Sequence, residues 1–129
     1  MRTPEQILRE ARTIAVVGAS PDAHRTSNRV MHYLQDVGYR CIPVNPNADE
    51  VLGERAYASL GDVPEPVDFV DVFRRPEYCA AVAEEAVAIG TRAVWLQLGI
   101  RSAEARRIAE EAGLDYVEDA CTLVVHRRL

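Results

Sequence analysis

The chain has 129 residues, 15 of them arginine and none lysine, and a formal charge of −5. That length fits one domain of residues 1–129 and leaves no room for a second catalytic domain. The missing lysine excludes Schiff-base chemistry and a phosphate-binding lysine, and the acidic balance argues against a nucleic-acid partner.

Thr3-Pro4-Glu5-Gln6 has the form of a capping box with Pro at the first helical position. Ile7, Leu8 and Ala11 give the helix that follows a short apolar stripe. Thr13-Ile14-Ala15-Val16-Val17 is a continuous apolar run ending at Gly18, as expected for a strand buried on both faces. Thr26 or Ser27 is expected to cap the next helix, in which Val30, Tyr33, Leu34 and Val37 recur at helical spacing before Gly38. Cys41-Ile42-Pro43-Val44 reads as a second strand, and its proline points to a sheet edge. Residues 46–66 are rich in turn formers and read as a long connection, with a short strand near Tyr57 and a helical turn near Leu60.

The alternation then resumes. Asp68-Phe69-Val70-Asp71-Val72-Phe73 is a strand, and Pro76 opens a helix with Cys79, Val82, Ala86 and Ile89 on one face, closed by Gly90. Ala93-Val94-Trp95-Leu96 is a strand. Ser102 caps a helix closed by Gly113, and Asp115-Tyr116-Val117 and Leu123-Val124-Val125 are the final strand candidates. Such alternation predicts an α/β fold: a Rossmann-like three-layer domain with a mostly parallel sheet of five or six strands.

Apolar residues make up 48% of the chain, enough for a core. No run of about 18 apolar residues is present to span a membrane. Met1-Arg2-Thr3-Pro4-Glu5 leads into an amphipathic stretch rather than a signal peptide. Cys41, Cys79 and Cys121 are odd in number and widely spaced, which fits reduced thiols in a cytoplasm. His24, His32 and His126 lack the spacing of metal ligands.

In a parallel sheet, ligands bind beyond the carboxyl ends of the strands, where strand order reverses. Four segments follow those ends. Gly18-Ala19-Ser20 is half of a dinucleotide fingerprint, with Ser20 and Ala23 where the second and third glycines would stand. Arg25, Thr26 and Ser27 follow at a helix start, which offers free N–H groups to a phosphate. Val44-Asn45-Pro46-Asn47 lacks the acidic residue that an NAD site places there. Phe73-Arg74-Arg75 puts two guanidinium forks at a strand end, suited to phosphate. Gln97-Leu98-Gly99 follows the fourth strand, which Trp95-Leu96 closes, with Trp95 expected in the core or as a wall of the slot. Asp71 is expected to be a satisfied structural carboxylate. Cys121 is by default an inert thiol. It is also the one candidate nucleophile, able to form a mixed disulfide with a thiol ligand.

Six segments in order resemble a known family: Ala15–Ser20, Gly38–Pro46, Val51–Glu54, Pro64–Asp68, Asp71–Pro76 and Trp95–Ile100. They are similar to the small stand-alone CoA-binding proteins, and through them to the N-terminal CoA-binding domain of the succinyl-CoA synthetase alpha subunit. The resemblance implies that Gly18, Ala19 and Ser20 receive the phosphates of coenzyme A. It puts a second contact at Asn45, Pro46 and Asn47, where the synthetase carries a lysine, and a third beyond Trp95, Leu96 and Gln97. With that lysine missing, Arg25, Arg74 and Arg75 are expected to supply the charge. The synthetase's phosphorylated histidine lies in a second domain with no counterpart here, so no catalytic residue is assigned.

The expected function is non-catalytic binding of coenzyme A or an acyl-CoA. The alternatives are a nucleotide-dependent oxidoreductase, a CoA-transfer enzyme, or a regulatory subunit whose protein partner is an acyl-CoA enzyme.

Overall fold

The computed structural model describes residues 1–129. The capping box at Thr3 forms: Thr3 Oγ1 accepts from Gln6 N at 3.1 Å, and Gln6 Oε1 accepts from Thr3 N at 2.8 Å. It starts α1 (Pro4–Glu10), which leads into β1 (Thr13–Val17), α2 (Thr26–Asp36) and β2 (Arg40–Val44). A small antiparallel ribbon, β3 (Glu50–Val51) with β4 (Glu54–Arg55), and a 3₁₀ turn at Leu60–Asp62 fill the long connection. Then come β5 (Phe69–Val72), α3 (Pro76–Ile89), β6 (Ala93–Leu96), α4 (Ala103–Glu111), β7 (Asp115–Val117) and α5 (Thr122–Arg127).

Five strands form one sheet in the order β2-β1-β5-β6-β7, every neighbouring pair parallel. Strands buried on both faces explain the unbroken apolar runs of the sequence. Ala15, Val17, Val70, Val72, Val94 and Leu96 pack under α3 and α4 on one face. Ile14, Val16, Phe69 and Trp95 pack under α1, α2 and α5 on the other. The result is the three-layer arrangement expected.

Pro43 sits on the edge strand β2, as its lack of an N–H requires. Its carbonyl accepts from Tyr57 N at 3.0 Å and Asn45 N donates to Tyr57 O at 2.8 Å, so a single residue stitches the outer edge. The missing donor falls on that outer side, where no full strand needs it.

Two expectations are corrected. Leu123-Val124-Val125 is not a strand but the middle of α5. A three-residue apolar run carries no usable period. Here Leu123 and Val125 pack against the core cluster that holds Trp95 and Val117. Neither Thr26 nor Ser27 caps α2. The N-cap is Arg25, with no side-chain capping bond, because the helix already begins at Thr26; Ser27 Oγ instead accepts from Ser20 N at 3.1 Å.

Candidate functional site

The chain passes from β1 to β2 on one side and returns to β5 on the other, so strand order reverses between β1 and β5. The crevice beyond their carboxyl ends is where a ligand fits such a sheet. Gly18 stands at its centre with φ of +87°. A Cβ there would lie 2.5 Å from Phe73 O, so no side chain can be accommodated without moving the end of β5. Gly18 N donates to Val44 O at 2.9 Å and Phe73 N to Val17 O at 2.8 Å, which brings the ends of β2, β1 and β5 to one point.

The loop after Gly18 is held by its own side chains. Ser20 N donates to Ser27 Oγ, Asn28 Nδ2 donates to Ser20 O at 2.9 Å, and Asp22 N donates to Ser20 Oγ at 3.1 Å. Asn45 ties this loop to the end of β2: its Nδ2 donates to Ala19 O at 2.8 Å, and its Oδ1 accepts from Asn47 N at 2.8 Å. Asn45 therefore acts as a staple, with each end of its carboxamide engaged by the backbone. Ala19 is fully buried and packs in the core.

Two adjoining compartments form the cleft. The larger, about 670 Å³, runs from Gly18 and the start of α2 (His24, Arg25, Thr26, Ser27) past Phe73–Pro76 to Gln97, Leu98, Ile100 and Cys121. The smaller, about 540 Å³, lies over Val44, Asn45, Pro46, Asn47 and Tyr78. They share Gly18, Arg25, Phe73, Arg74 and Arg75. Every ion pair of the chain is made by Arg2, Arg40, Arg101, Arg106, Arg107 or His32. Arg25, Arg74 and Arg75 take part in none. Arg74 stacks its guanidinium 4.5 Å from the centre of the Tyr78 ring, which orients it without neutralising it.

Backbone adds to this field. α2 and α3 both begin at the cleft and neither has a side-chain cap, whereas α1 and α4 are capped by Thr3 and Ser102. Uncapped first-turn N–H groups and the positive end of the helix dipole favour an anion. Of the residues expected at the site, Gly18, Arg25, Thr26, Ser27, Val44, Asn45, Pro46, Asn47, Phe73, Arg74, Arg75 and Gln97 line the cleft. Ala19, Ser20, Trp95 and Leu96 do not. Trp95 and Leu96 are wholly buried, Trp95 donating its Nε1–H to Ala120 O at 2.8 Å and packing on Phe69.

Beneath the cleft lies a closed polar network. Gln97 Nε2 donates to Asp71 Oδ1 at 2.5 Å and to Thr122 Oγ1 at 2.9 Å, and Thr122 Oγ1 donates to Asp71 Oδ2 at 3.0 Å. Asp71 is fully buried, and burial pushes its carboxyl up to about 7 against the opposing effect of these bonds. Asp71 is thus a satisfied carboxylate, as expected, but one that tethers α5 to the sheet. Burial also pushes the Cys41 thiol up to about 12 and the Cys79 thiol to about 11. Cys121 alone of the three is not buried.

Sequence reasoning missed Thr122, Asn28 and Tyr78. Tyr78 carried a readable signal, since it stands four residues after Arg74 on a helix start. Thr122 carried none, because its partner Asp71 lies 51 positions away.

A family model described as a CoA binding domain matches residues 12–127. The chain is 42% identical over 122 residues to the Bacillus subtilis protein YneT, covering 95% of this chain and 90% of that one. A hypothetical protein from Pyrococcus horikoshii OT3 superposes with a TM-score of 0.95 at 40% identity, covering 99% of this chain and 92% of that one. The ADP-forming acetate–CoA ligase I of Archaeoglobus fulgidus is 27% identical over 128 residues, which are 92% of this chain but 19% of the ligase.

Proposed function

The chain belongs to the CoA-binding domain family, and on that premise we propose that it binds coenzyme A or an acyl-CoA in the cleft around Gly18. The observation that carries this reading is the convergence of Arg25, Arg74 and Arg75 on the two compartments with no acidic partner. Unpaired guanidinium groups beside uncapped helix starts call for a multiply charged anion, and the diphosphate and 3′-phosphate of coenzyme A supply one. Gly18 allows close approach to the backbone. The smaller compartment lies along the β2 end, the larger runs toward Leu98, Ile100 and Cys121. A long ligand with a charged end and a slender arm fits that shape.

The reading is of binding without catalysis. The titratable groups of the cleft form no nucleophile–base pair within hydrogen-bond reach, and Asp71 is turned inward to Gln97 and Thr122. A protein of this kind acts in a cytoplasm by holding or presenting coenzyme A, alone or to an acyl-CoA enzyme. The acidic residue that would hold the NAD ribose is replaced by Asn45, whose carboxamide is already engaged by the backbone.

Thermal unfolding tests the reading. Coenzyme A is expected to raise Tm with concentration as mass action demands, while NAD leaves it unchanged. A shift with NAD and none with coenzyme A would reverse the assignment.

A further inference from the structure

Binding of phosphates leaves two features of the larger compartment unused, the Gln97 carboxamide oxygen and the Cys121 thiol. Gln97 is only 4% exposed. Both of its amide hydrogens are committed, to Asp71 and to Thr122. Its Oε1 accepts nothing from the protein, and no enclosed polar atom of the chain is left without a partner, so that oxygen opens onto the cleft. It is a fixed acceptor, free to take an N–H from a ligand.

Cys121 is held beside it. Ala120 O accepts from Trp95 Nε1 on one side, and Thr122 is bonded to Asp71 and Gln97 on the other. The turn before it is set by Asp119, whose φ is +55°. Asp119 Oδ1 accepts from Gly99 N at 2.7 Å and its Oδ2 pairs with Arg101 at 2.6 Å. Cys121 lines the compartment together with Leu98 and Ile100 and is partly buried, while Cys41 and Cys79 are 1% and 0% exposed. The arginines sit at the other end of the same compartment. A ligand anchored there by phosphate and reaching this end meets an N–H acceptor and a sulfur, the two groups that suit the amide and thiol of the pantetheine arm.

We propose that the Cys121 end of the cleft is a thiol–disulfide exchange site for the disulfide form of coenzyme A, with Gln97 Oε1 accepting an amide N–H of the arm. The inference rests on the coenzyme A reading above. Cys121 gives its proton to solvent and its sulfur attacks one sulfur of the ligand disulfide. The ligand S–S bond breaks as the Cys121–S bond forms, and the departing coenzyme A thiolate takes up a proton. Cys121 is oxidised to the mixed disulfide, and one half of the ligand is reduced.

The test incubates reduced protein with coenzyme A disulfide and follows intact mass and peptide maps. One coenzyme A per chain is expected on Cys121, released by reductant and absent from Cys121→Ser. It should form roughly tenfold faster than the adduct from oxidised glutathione, as binding beforehand requires. No adduct, an adduct on Cys41 or Cys79, or equal rates with the two disulfides would overturn the exchange site. Titration of reduced coenzyme A into Cys121→Ser separates the two readings. Retained binding without exchange in the unmodified protein removes only this inference, and loss of binding in both proteins removes the cleft assignment with it.

Discussion

The two ends of the sheet hold cavities of equal volume, about 670 Å³ each, and opposite electrostatics. At the amino ends several charges are answered within the chain. Arg2 pairs with Asp115 at 2.6 Å and with Glu10 at 3.3 Å. Arg40 pairs with Glu65 at 2.6 Å and holds that carboxyl below its usual range by hydrogen bonding. Asp68 Oδ2 accepts from the backbone of both Arg12 and Thr13, and α1 is capped. Of the arginines lining that cavity only Arg92 is unpaired. At the carboxyl ends three arginines are unpaired and three helices, α2, α3 and α5, start without a side-chain cap. Room for a ligand exists at both ends, and what differs is whether the protein has already answered its own charges.

Glycine substitutions should show the largest contrast. Gly113, at the amino-end cavity, has φ of +80° and nothing within 4 Å of the point where a Cβ would stand, while Gly18 has φ of +87° and Phe73 O at 2.5 Å from that point. Gly113→Ala is expected to cost about 1 kcal/mol, the penalty of a left-handed residue. Gly18→Ala should cost roughly 3 kcal/mol or more, because a backbone shift is added to that penalty. Urea unfolding of the two variants gives the difference, and equal costs would mean the Gly18 turn is not pressed against β5.

Arginine variants come next. Arg74→Ala or Arg75→Ala is expected to weaken coenzyme A binding roughly tenfold each, the loss of one charge-assisted contact. Arg40→Ala at the other end should leave affinity unchanged and lower stability by less than about 1 kcal/mol, since that pair is solvent-exposed. Calorimetry on the three variants is the check, and loss of affinity in Arg40→Ala would erase the distinction between the ends.

A further contrast lies in pH dependence. A carboxyl that titrates near 7 folded and near about 3.9 unfolded binds its proton more tightly in the native state. Its contribution to stability is present below the unfolded value and is lost as pH rises through the folded one. Asp115 and Glu65 act in the opposite sense, their lowered values favouring the native state above the usual carboxylate range. Asp71→Asn should therefore abolish a fall in stability between about pH 4 and 7, seen as the difference between the Tm curves of the variant and the parent.

Much of this contrast was readable before the fold was known. Strand runs ending at Gly18, Phe73 and Gln97 placed three strand ends correctly, and the parallel sheet then had to bring them together. Arg74 and Arg75 could be assigned to the cleft because they directly follow a buried strand. Charge pairing was not readable: Arg2 meets Asp115 across 113 positions, and no local pattern reports such a contact. The same holds for Thr122 with Asp71. Trp95 was ambiguous because a residue at a strand end can point either to the crevice or into a layer, and period 2 decides this only once the register is known. Leu123–Val125 misled because a short apolar run serves a helix or a strand equally.

The central claim is that unspent charge at the carboxyl ends binds coenzyme A. The most direct test titrates coenzyme A calorimetrically into the unmodified protein and into the Arg74→Ala, Arg75→Ala double variant. One coenzyme A per chain with saturating heat, and affinity reduced roughly a hundredfold in the double variant, is the expected result. No heat in the unmodified protein, or the same affinity in both, would contradict it.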